Sequence, residues 1–77
     1  MKAKYKHEGN DCLIYDQVIC EDNIVVTVRS YYGAWGNDDP ITDVTVYLTN
    51  SEARRRFFTI CDKFEQWNYD CVYKEAT

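Results

Sequence analysis

Only one stretch of the chain places apolar residues at helical spacing. Ala53, Phe57, Ile60, Cys61, Phe64 and Trp67 fall on one stripe of an α-helix. Phe58 lies about 100° from Phe57 and sits at the margin of that stripe. Thr49-Asn50-Ser51-Glu52 matches a capping box, in which the Thr hydroxyl and the Glu carboxylate each satisfy an orphan helix N–H. Asn68 ends the helix. A lone amphipathic helix must bury its stripe against another layer, so the remaining segments have to supply one.

Those segments alternate with period two, the spacing of a strand with unlike faces. Lys2, Lys4 and Lys6 alternate with Ala3, Tyr5 and His7 as a short edge strand, where lysine discourages unwanted pairing. Gly9-Asn10 marks a turn. Cys12 to Cys20 is the second strand, with Cys12, Ile14, Asp16, Val18 and Cys20 on one face. Leu13, Tyr15, Gln17 and Ile19 take the other, and the pattern leaves open which of the two is buried. Glu21-Asp22-Asn23 turns the chain into a third strand, Ile24 to about Tyr32. Residues 41–49 form a fourth, and 69–74 form a last strand after the helix.

The order β-β-β-β-α-β predicts an α+β domain spanning residues 1–77: an antiparallel four- to five-stranded sheet with one helix packed on one face. Residues 41–49 carry the clearest alternation, with Val44, Val46 and Leu48 opposed to Asp43, Thr45, Tyr47 and Thr49. The expectation is that the helix stripe packs on Val26, Val28, Val44, Val46 and Leu48. Thr27, Arg29, Tyr31, Asp43, Thr45 and Tyr47 would then occupy a wet face, as an antiparallel sheet allows.

Seventy-seven residues lie near the lower limit for a self-sufficient core. The apolar content of 45% is too high for disorder. The net charge of −4 is uneven: residues 8–53 hold nine acids against Arg29 alone. Such a surface repels nucleic acid, whose binding rests on phosphate neutralisation; it favours a basic protein partner, or simply keeps the chain in solution. Cys12, Cys20, Cys61 and Cys71 lack the close spacing of structural zinc sites and read as reduced thiols. No apolar leader or span of roughly 18 residues appears, which points to a cytoplasmic protein without a membrane partner.

Nothing resembles a catalytic centre, a phosphate loop or a calcium loop, so neither an enzyme nor a cofactor or metal site is expected. His7 reads as a surface or partly buried histidine. Arg54-Arg55-Arg56 reads as a solvated helix face or as a grip on a partner's anions. The residues that point to recognition are Tyr31-Tyr32-Gly33-Ala34-Trp35-Gly36-Asn37-Asp38-Asp39-Pro40. Glycine and proline make this a loop, and loops run over the surface. Tyr and Trp dominate binding hot spots. The candidate partner-binding set is Tyr31, Tyr32, Trp35, Asp38, Asp39, Asp43 and Tyr47; the alternative is that Trp35 folds back to cap the core.

In its size, its acidic stretch from Glu8 to Glu52, its Tyr31–Trp35 loop and its lack of catalytic residues, the chain resembles the small phage-encoded inhibitors of the anti-CRISPR type. These share no sequence signature, so the resemblance assigns no residue a role. It implies a stoichiometric inhibitor that blocks a basic, nucleic-acid-handling surface of a host-defence complex such as a CRISPR effector. The alternative is an immunity protein or antitoxin that neutralises a cognate toxin. Whether a monomer or a homodimer is the working species stays open.

Overall fold

The computed structural model describes residues 1–33 and 39–76. Five strands form one antiparallel sheet: β1 (Lys2–Gly9), β2 (Cys12–Glu21), β3 (Ile24–Gly33), β4 (Ile41–Val46) and β5 (Asp70–Glu75). The helix α1 (Asn50–Gln66) lies between β4 and β5 in the chain. The first four strands run as a meander. The helix then crosses the sheet, so that β5 adds beside β1 and the order is β4-β3-β2-β1-β5. The β-β-β-β-α-β order and the α+β class read from the sequence are those of the fold.

Tight turns close the first two hairpins. Asp11 and Asp22 take left-handed backbone angles, φ 58° and 52°, which Asp tolerates better than most side chains. The helix begins where the capping residues place it, with the Thr49 hydroxyl accepting the Glu52 N–H at 3.1 Å. It ends in a Schellman motif. Asn68 is left-handed at φ 59°; its N–H donates to the Glu65 carbonyl and that of Tyr69 to the Phe64 carbonyl. The hydrophobic contact that accompanies the motif is the Phe64–Tyr69 stack, centroids 5.4 Å apart.

The buried cluster joins Ala3, Tyr5, Val18, Cys20 and Val25 of the sheet to Ala53, Phe57 and Cys61 of the helix. The helix residues are four apart and share one face. Ala3 and Cys20 are small, and they allow the helix to settle where Phe57 and Tyr5 need room. Partner residues in an antiparallel register share a face. Because Val18 pairs with Ala3 and with Thr27, and Cys20 with Val25, the helix side carries Ile14, Asp16, Val18 and Cys20 of β2. This settles the face that the alternation left open.

The same register overturns the expected packing on β3 and β4. Val25 pairs with Thr45, Thr27 with Asp43 and Arg29 with Ile41, so Thr27, Arg29, Tyr31, Asp43 and Thr45 face the helix side. Tyr47 joins them by packing against the core. Val26, Val28, Val44 and Val46 point to the opposite, helix-free side. Val44 and Val46 stay 62% and 66% exposed, and Leu48, just past the strand, 93%. The reason is position. The helix packs on the central part of the sheet, while every residue of β4 is exposed at the edge. Its alternation therefore marks an apolar face, but not one under the helix.

Candidate functional site

Two surfaces result, one on each side of the sheet. On the helix side a polar network crosses the three central strands. Asp16 is 5% exposed and sits among the apolar residues of β2, where an unpaired charge would be costly. Arg29, directly opposite on β3, grips it with two hydrogen bonds, Nε to Oδ1 at 2.7 Å and Nη2 to Oδ2 at 3.1 Å. His7 of β1 approaches Oδ2 with Nε2 at 3.1 Å. The His7 ring lies flat on Tyr69, with centroids 3.7 Å apart, in the place the helix cap gives that tyrosine. The Asp16 hydrogen bonds push the Arg29 pKa above its ordinary value, so the guanidinium is a fixed cation.

Asp16 and Arg29 of this network lie in the floor of an open cleft of about 390 Å³ between α1 and the β3–β4 side of the sheet. Tyr31, Ile41 and Asp43 line it from the sheet, and Arg56, Lys63 and Trp67 from the helix. Trp67, on the predicted stripe, is 57% exposed because the sheet beneath it gives way to this cleft.

The helix-free side is different in character. The register places Leu13, Ile19, Ile24, Val26, Val28, Val44 and Val46 there together. Tyr15 and Tyr32 join them edge to face, centroids 5.5 Å apart. Lys2, Lys4 and Lys6 of β1 run along one flank; Lys4 stands over the Tyr15 ring at 4.9 Å and Lys2 pairs with Glu75 at 3.6 Å. Glu8 and Glu21, both exposed, share this side with Leu13 and Ile24, their cross-strand partners.

The candidate partner-binding residues are therefore divided. Tyr31, Asp43 and Tyr47 lie on the helix side, Tyr31 and Asp43 in the cleft and Tyr47 against the core. Tyr32 lies on the helix-free face, 47% exposed. Asp39 is exposed ahead of β4, and Trp35 and Asp38 lie outside the described residues. The network of His7, Asp16 and Arg29 was missed from sequence; the signal for it was Asp16, the one charge among Cys12, Ile14, Val18 and Cys20.

All four cysteines are free, with Cys20 and Cys61 buried, Cys12 half-buried and Cys71 exposed. Among the described residues no group of His, Cys, Asp and Glu is placed to hold a metal ion, and no helix is long and apolar enough to cross a membrane. Set against known protein families, curated proteins and solved structures, the chain matches none of them.

Proposed function

We propose that this chain is a protein-binding module that acts by occupying its partner, without chemistry of its own, and that the helix-free face is where the partner docks. The observation that carries this reading is the helix-free face of β2, β3 and β4, where Ile19, Ile24, Val26, Val44 and Val46 adjoin without a covering layer before Gln17, Ser30 and Thr42 interrupt them. An uncovered patch of this kind is characteristic of interaction surfaces. Its anatomy fits that use: valine and isoleucine adjoin across β2, β3 and β4, Leu13, Tyr15 and Tyr32 stand at one end, and charged residues of both signs, Lys2, Lys4, Lys6, Glu8 and Glu21, flank them. The overall charge of −4 favours a basic partner and faster encounter with it.

The function that fits best is stoichiometric inhibition of the anti-CRISPR type, directed at a basic surface of a nucleic-acid-handling defence complex. In the test, wild-type chain and the variants Ile24→Lys and Val26→Lys are used to capture partners from host lysate, and the captured proteins are identified. Capture of a CRISPR effector by wild type, lost by at least ten-fold in the folded variants, is the expected result. A captured toxin would replace the inhibitor reading with that of an immunity protein. Undiminished capture by both variants would remove the helix-free face as the docking surface.

A further inference from the structure

The two edges of the sheet are not alike. At β5 the edge is blunted: Asp70, Lys74 and Glu75 are charged, and the pairing with β1 shifts register between Lys4 and Tyr5. Charges and irregular pairing are how sheets prevent edge-to-edge association. β4 carries a single charge, Asp43, and no irregularity. Its pairing with β3 runs without a shift from Ile41 to Val46. It contains no lysine and no proline, and all of its residues are exposed.

The direction of its free hydrogen-bonding groups is fixed by one bond. The Tyr47 N–H donates to the Asn23 carbonyl at 2.8 Å, so position 47 turns its peptide groups towards β3. Alternation along the strand gives Thr45, Asp43 and Ile41 the same direction. Thr42, Val44 and Val46 therefore aim their N–H and C=O groups away from the sheet, into the open edge.

We propose that β4 pairs antiparallel with β4 of a second copy of this chain, about a two-fold axis through Val44. In this register Val44 meets Val44 of the second copy, and Thr42 meets its Val46. Every outward N–H and C=O of Thr42, Val44 and Val46 is then bonded. Pro40, which has no N–H to offer, falls just beyond the ladder. Asp43 stands opposite Thr45 of the second copy, and Ile41 opposite its Tyr47. Moving the pairing one step to centre on Asp43 would set two carboxylates face to face and place Val46 opposite Pro40, which has no N–H for the Val46 carbonyl. The edge is thus self-complementary about Val44, as an isologous interface requires. Opposed residues share a face, so both helices lie on one side and the two apolar faces join on the other. The dimer stands whether or not that joined face binds another protein.

Sedimentation of the wild-type chain from about 10 µM to about 1 mM should show a concentration-dependent dimer. Val44→Pro removes an N–H that is free in the monomer, a position where an edge strand tolerates proline; it should sediment as a monomer throughout with an unchanged circular dichroism spectrum. A second pair of variants reads the register without disturbing the fold, because Thr45 is exposed. Thr45→Lys faces Asp43 of the second copy and should tighten the dimer roughly two- to thirty-fold, with Thr45→Asp weakening it by a similar factor. A wild type that stays monomeric at about 1 mM overturns the proposal. So does a folded Val44→Pro that still dimerises, or an equal dimer affinity for Thr45→Lys and Thr45→Asp.

Discussion

Asp16 is the residue on which the helix side of the sheet depends. Its carboxylate is buried, yet it holds Arg29 by two bonds and His7 by a third contact. Buried ion pairs contribute little net stability against a well-packed apolar substitute, whereas removing one partner is costly. Asp16→Ala should therefore lower the unfolding free energy by about 3 kcal/mol, measured by urea denaturation. The double variant Asp16→Leu with Arg29→Met should recover most of that loss. A single variant as stable as wild type would show that the network is solvated and carries little. Arg29 is kept as a cation of fixed orientation, a property that an apolar pair would not give the cleft.

At the scale of the element, α1 shows the closest agreement between local code and structure. Thr49 caps it, Asn68 and Tyr69 close it, and Ala53, Phe57 and Cys61 bury one stripe. The cap is exposed and acts through one hydrogen bond, so Thr49→Ala should cost about 1 kcal/mol. Thermal unfolding of the variant checks this, and Thr49→Ser should retain most of the stability. β4 is the opposite case. Its period-two pattern is the clearest in the chain, but no helix covers it, and the apolar side of the strand faces away from α1.

For the whole molecule, the joint between sheet and helix is sensitive to alkali. Burial is the main cause that pushes the Tyr5 phenol well above its ordinary value of 10.0. Burial likewise raises the Cys61 thiol above its ordinary 9.0. Both groups hold their protons more tightly in the folded chain than in the unfolded one. Their contribution is thus complete below their ordinary values and is lost as pH climbs through the raised ones. Stability should stay level to near pH 9 and decline beyond it, the Cys61 contribution first. Urea midpoints at intervals from neutral to strongly alkaline pH would trace this. Tyr5→Phe, which loses only the hydroxyl bonded to Glu65 at 3.2 Å, should show a shallower decline at the upper end.

The element order, the turns at Asn10 and Asp22, and the helix with both its ends were legible in the sequence, because alternation, capping and turn chemistry act over a few neighbouring residues. So was the presence of an apolar and a polar face on residues 41–46. Which face lay under the helix was not legible. Local alternation is symmetric with respect to the two sides of a sheet; only the register from β1 through β2 to β3 and β4, anchored where Ala3, Tyr5, Val18 and Val25 meet Phe57, chooses between them. The pairing of Asp16 with Arg29 and His7 likewise needed three strands side by side. Sequence by itself determined the elements and the chemistry of each face; tertiary structure decided which face was covered, because burial depends on contacts between residues far apart in the chain.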